Sequence, residues 1–137
     1  MYKYNIKGDT YDTIAVDQRI IHGGIQSTHY YTKDGVITGQ ANVIFVTHYE
    51  ADSFVLDSIK TDATGTVVLP KTLITVVGPY ALKGVGFKRL VIPKGVKLTL
   101  KKKSLYGSDT VTEFITLSRD IQYEDDVFPL TITRRLF

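Results

Sequence analysis

The chain of 137 residues has no cysteine and no tryptophan. Without cysteine there are no disulfides, no thiolate metal ligands and no cysteine nucleophile, and the redox compartment stays open. No apolar run approaches the roughly 18 residues that a membrane-spanning helix needs. Residues 1–8, Met-Tyr-Lys-Tyr-Asn-Ile-Lys-Gly, lack the apolar stretch of about 7–15 residues found in signal peptides. Neither a secretion signal nor a membrane span is expected. Helical periodicity is also missing, since no stretch of about 11 residues carries an apolar stripe at helical spacing. Thr, Val and Ile are abundant alongside nine Tyr and six Phe, so the backbone is expected to be β nearly throughout.

One charge sign is missing locally. Residues 63–108 contain no Asp or Glu, yet they hold Lys71, Lys83, Lys88, Arg89, Lys94, Lys97 and Lys101 to Lys103. Acidic residues flank the stretch: Glu50, Asp52, Asp57 and Asp62 before it, and Asp109, Glu113, Asp120, Glu124, Asp125 and Asp126 after it. With 43% hydrophobic and 23% charged residues the chain can bury a core, and its length makes one compact unit.

A repeat organises that unit. Ile44-Phe45-Val46-Thr47, Val67-Val68-Leu69-Pro70, Leu90-Val91-Ile92-Pro93 and Glu113-Phe114-Ile115-Thr116 recur every 23 residues. A second track keeps the phase as Ser58-Ile59, Ala81-Leu82, Ser104-Leu105 and Val127-Phe128, and a third as Phe54, Val77, Leu100 and Tyr123. Gly84 and Gly107 follow the second track where a chain reversal favours positive φ. Repeats of this length cannot bury their own apolar faces and must stack. The expectation is a mostly β, short right-handed β-solenoid over residues 43–137, with parallel strands near 43–47, 66–70, 89–93 and 112–117. An antiparallel β-sandwich with regular strand spacing is the alternative. Residues 1–42 are out of phase and are broken by Lys7-Gly8-Asp9, His22-Gly23-Gly24 and Lys33-Asp34-Gly35. They predict a β-hairpin cap over the solenoid end. At the other end Phe137 falls 23 residues after Phe114, mid-repeat, which predicts an edge that this chain or another must cover.

The stretch 67–84, Val-Val-Leu-Pro-x3-Ile-x2-Val-Gly-Pro-Tyr-Ala-Leu-x-Gly, followed by Phe87-Lys88-Arg89-Leu90-Val91-Ile92-Pro93, resembles the BspA-type leucine-rich repeat. The family pairs a strand ending Ile-Pro with a following Ile-Gly-x-x-Ala-Phe; here that pair reads Ala-Leu or Ser-Leu, and the family's Cys or Asn position is not kept. The resemblance implies a leucine-rich-repeat-like solenoid and adhesion or partner binding.

No constellation for catalysis stands out. His22, His29 and His48 lack metal-ligand spacing, and each reads as a strand or turn residue with an ordinary hydrogen bond. Asp9, Asp12 and Asp17 do not match a calcium loop, and Gly84-Val85-Gly86 is not followed by a helix pattern. No enzyme activity, metal or cofactor is expected.

Stacked coils convert the charge banding into a positive belt between two negative ends. Lys88, Arg89, Lys94, Lys97, Lys101, Lys102 and Lys103 are the candidate partner-binding residues, with an acidic surface as the complementary partner. A solvated lysine face is the competing reading. Nucleic acid is disfavoured because no aromatic stacking platform accompanies the lysines. The function expected is a structural or assembly subunit working through contacts with another protein or with copies of itself, such as a phage capsid or tail component, in a virion or host cytoplasm. The alternative is a recognition module for a cell-surface protein or glycan.

Overall fold

The computed structural model describes residues 2–5 and 13–136. Five strands come first: β1 (Tyr2–Asn5), β2 (Thr13–Ile21), β3 (Gly24–Lys33), β4 (Val36–Glu50) and β5 (Ser53–Thr61). They pair antiparallel in chain order. From β6 (Thr66–Val68) onward the chain coils. β7 (Ile74–Val77), β9 (Leu98–Leu100) and β11 (Ile121–Tyr123) add in parallel to β5, completing an eight-stranded sheet. β8 (Arg89–Ile92), β10 (Glu113–Thr116) and β12 (Thr133–Leu136) add in parallel to β6 in a second, four-stranded sheet. The chain is therefore a β-solenoid of about four turns whose larger sheet continues into an N-terminal antiparallel meander. Among the described residues there is no helix.

Turn chemistry sets the meander. The Asp34-Gly35 step joins β3 to β4 with φ of 52° and 78°, the paired left-handed geometry that matches strand twist in two-residue hairpins. Gly24 is required for a different reason: a Cβ there would sit 2.1 Å from the Phe45 carbonyl oxygen. The hairpin between β4 and β5 turns at Ala51-Asp52, both left-handed without glycine, and so carries no compositional signal.

The coils stack at the expected spacing in their centre. Thr66 pairs with Arg89 and Leu98 with Ile121, 23 residues apart in each case. Elsewhere the register departs from a strict 23. Residues 43–47 lie within β4, antiparallel to both neighbours, so the parallel four-stranded sheet begins at β6 rather than with that segment. Leu56, not Phe54, stacks beside Val77. Leu90 pairs with Phe114 rather than Glu113, a 24-residue step. The extra residue is absorbed around Ser108–Thr110, where the Thr110 hydroxyl lies 3.0 and 2.8 Å from the Val85 and Phe87 carbonyl oxygens and the Val111 N–H donates to Ser108 Oγ. Phe137, Asp9, Asp12 and the Lys7-Gly8-Asp9 turn lie outside the described residues.

Between the sheets lies one apolar core. Leu69, Leu82, Phe87, Leu90, Ile92 and Phe114 from the coils join Ile14, Val16, Val43 and Phe45 from the meander, all fully buried. The meander also closes the first coil. β6 is an edge strand, and its outward polar groups are met by β3 side chains: the Tyr31 hydroxyl donates to the Thr66 carbonyl at 2.7 Å, and the Val68 N–H donates to His29 Nε2 at 2.9 Å. Unpaired edges invite association, and these two bonds cap this one.

Candidate functional site

A backbone feature places the lysine run. Tyr80, Lys103 and Asp126 occupy one position in successive coils and all three are left-handed, with φ of 57°, 63° and 54°. Tyr80 N–H donates to the Lys103 carbonyl and Lys103 N–H to the Asp126 carbonyl, so the bends stack one above another. Each residue just before the bend therefore stands against its counterpart 23 residues on. Lys101 Nζ lies 3.2 Å from Glu124, Lys102 Nζ 4.0 Å from Asp125 and Lys103 Nζ 2.9 Å from Asp126. The Lys102 backbone N–H also donates to Glu124 at 2.9 Å, and the Tyr106 hydroxyl donates to Asp126 at 2.6 Å.

These contacts move the titrations of the groups involved. The Lys102 backbone N–H, followed by Lys101, holds the Glu124 carboxyl below its ordinary range. The Tyr106 hydroxyl and then Lys103 do the same for Asp126, and the bond to Asp126 raises Lys103 in turn. Each charged form is favoured by a hydrogen bond or an opposite charge.

The other belt residues separate into two groups. Arg89, half-buried, lies 3.3 Å from Glu113, whose second oxygen lies 3.0 Å from Arg135 on the coil beyond. Lys88, Lys94 and Lys97 are exposed and have no ion pair among the described residues. The belt is thus in contact with the acidic band that follows it: Lys101 to Lys103 and Arg89 face carboxylates, whereas Lys88, Lys94 and Lys97 face solvent.

Beside the lysine ladder runs an open groove of about 490 Å³. Its floor is Val55, Val76, Gly78 and Pro79; Lys101, Lys102 and Glu124 stand on one side, and His48, Glu50 and Asp57 on the other. Strand alternation brings that second set together, because His48 and Glu50 are two apart on β4 and Asp57 lies on the neighbouring β5. His48 Nδ1 is 2.8 Å from both Asp57 carboxylate oxygens, and Nε2 is 2.8 Å from Glu50. Both ring nitrogens face acceptors, which calls for the imidazolium, and the bonds to Glu50 and then Asp57 raise its pKa. With neither nitrogen free in this state, His48 is set up as a fixed cation, and the groove presents charges of both signs over an apolar floor.

The sequence reading missed this cluster. The only hint was the i, i+2 spacing of His48 and Glu50; Asp57 joins them through a turn, Ala51-Asp52, that contains no turn-forming glycine. His29 is of another kind: fully buried, with Nε2 accepting from Val68 and Nδ1 3.1 Å from Ser27 Oγ. Because Nε2 must accept, the neutral ring carries its proton on Nδ1. Among the described residues, no group of three or more His, Cys, Asp or Glu side chains is arranged to hold a metal ion. No helix among them is long and apolar enough to cross a membrane.

Fold and site together define a stacked β-solenoid repeat module with an antiparallel N-terminal cap. No protein-family model, curated protein or solved structure matches the chain.

Proposed function

We propose that the chain is a non-enzymatic assembly subunit acting through protein–protein contacts, built from a variant of the BspA-type leucine-rich repeat. One observation carries the functional part. Ile20 near the end of β2, Tyr49 and Phe54 beside the β4–β5 turn, and Leu73 are all exposed and line one hollow. Contiguous exposed apolar side chains mark interaction surfaces. For the repeat type, support comes from equivalent features 23 residues apart: Pro70 and Pro93 are buried after their strands, Ala81-Leu82 and Ser104-Leu105 are buried, and Gly84 and Gly107 have positive φ.

A virion capsid or tail is one setting for such a subunit. The test is light scattering of the purified chain, together with cross-linking and mass spectrometry in its native source. The reading expects an oligomer or a cross-linked protein partner. A chain that stays a lone monomer in both, without cross-links, sinks it.

The groove beside His48 favours a second reading, recognition of a cell-surface protein or glycan through its bipolar walls. A glycan array separates the two: binding abolished by Asp57→Asn together with Lys102→Ala supports recognition, and an empty array removes the glycan form of it.

A further inference from the structure

The two ends of the solenoid are finished differently. At the first coil the edge of β6 is met by Tyr31 and His29 from β3. At the last coil β12 pairs with β10 alone and forms the other edge of the four-stranded sheet, and Thr133, Arg134, Arg135 and Leu136 are all exposed. The Thr133 N–H donates to the Thr112 carbonyl at 2.8 Å, on the β10 side. Peptide groups alternate in direction along a strand, so the N–H and C=O of Arg134 and the N–H of Leu136 point away from β10, toward the place of a further strand.

Charge decides what that strand can be. Arg89, Glu113 and Arg135 follow one another across β8, β10 and β12 with contacts of 3.3 and 3.0 Å, so the sign alternates from coil to coil and a carboxylate continues the series. Arg134 takes the ladder position held by Leu90 and Phe114 in the preceding coils. Its guanidinium lies 4.2 and 4.8 Å from the centres of the Tyr123 and Phe128 rings, and no carboxylate pairs with it among the described residues.

A second copy of the chain does not supply the acid. β12 laid antiparallel on another β12 in full overlap sets Arg134 opposite Arg135, a destabilising like-charge pair. The remaining edge strands, β1 (Tyr-Lys-Tyr-Asn), β6 (Thr-Val-Val) and β11 (Ile-Gln-Tyr), contain no Asp or Glu. Charged side chains on an edge turn away strands of like charge, and here they leave acidic ones admissible.

We propose that β12 accepts an extended acidic segment of a different protein as a further strand, its backbone on Arg134 and Leu136 and its carboxylates against the two arginines. The inference rests on the interaction-module reading and names the surface and the partner's chemistry. Main-chain bonds supply affinity, and the arginines select the charge of the segment.

The probe is a library of random dodecapeptides displayed on phage and panned against the intact chain. Selected peptides are expected to carry Asp or Glu among strand-forming residues. Leu136→Pro removes an outward N–H and keeps both arginines, so binding should fall at least about tenfold at an unchanged melting temperature. Lys60→Glu, on the exposed part of β5, should leave binding unchanged. Arg134→Glu combined with Arg135→Glu gives a readout that damage to the fold cannot imitate: panning on it should return Lys- or Arg-bearing peptides instead. If that variant or Leu136→Pro does not fold, Arg134→Gln combined with Arg135→Gln decides, by losing the acidic preference. The proposal is overturned if panning returns no binder, if the consensus lacks an acidic residue, if binding survives Leu136→Pro, or if neither arginine pair variant changes the charge selected. Sedimentation showing a homodimer that Leu136→Pro dissolves also overturns it, by assigning the edge to a second copy. Native cross-links confined to another face would remove this proposal while leaving the assembly reading intact, whereas a chain with no partner and no oligomer removes both.

Discussion

The imidazole Nε2 of His29 on β3 accepts the backbone N–H of Val68 on β6 at 2.9 Å, across 39 residues of chain. The bond needs a neutral ring, and burial pushes the His29 pKa down to about 4 against 6.5 for the free side chain. The unfolded chain therefore binds the proton more readily than the folded one. Stability from this group is fully present above pH 6.5 and is lost as the pH falls from 6.5 toward 4, on the order of 3 kcal/mol at the acid end. Urea unfolding at a series of pH values should show that decline. His29→Gln keeps an acceptor and cannot titrate, so it should flatten this limb; an unchanged slope would remove His29 as its cause.

His48 should behave in the opposite sense. Its raised pKa means that its contribution is present below pH 6.5 and lost as the pH rises through the folded value. Proton NMR of the ring should give a midpoint above 6.5, and Asp57→Asn should move it down.

Tyr31→Phe deletes the hydroxyl that donates to the Thr66 carbonyl at 2.7 Å. Denaturant unfolding is expected to lose about 1 kcal/mol with an unchanged dependence on denaturant. A loss near zero would mean that the edge of β6 is satisfied without this bond.

Lys101→Glu should lower the melting temperature because it sets two acids against each other across the coils, and adding Glu124→Lys should restore part of it. No recovery in the double variant would show that the pair is not coupled. The ladder also confounds charge reversal at Lys101 to Lys103 as a binding test, since it breaks three cross-coil pairs at once. Reversal at Lys94 and Lys97, which have no such pairs, probes the belt without that effect.

Leu69→Ala and Ile92→Ala each remove a fully buried side chain from the core. Each should cost about 2–5 kcal/mol by thermal or urea unfolding. A loss below about 0.5 kcal/mol, as at exposed positions, would contradict the stacked core.

Sequence by itself determined the stacking. A 23-residue apolar recurrence can bury its faces only against its neighbours, so Val67, Leu69, Leu90 and Ile92 had to be core, and the Asp34-Gly35 step had to reverse the chain. Tertiary structure alone decided the rest. Ile44–Thr47 keeps the apolar phase but belongs to an antiparallel strand, because apolar spacing records burial and does not record strand direction. The left-handed bends at Tyr80, Lys103 and Asp126 share no residue type; bonds between coils hold them, and no composition announces it. For the same reason the lysine run reads as an open belt along the chain, yet meets its acids once the coils bring positions 23 apart within a few ångströms. Leu73 is the sharpest case: the repeat places it inside, and a turn without glycine puts it outside.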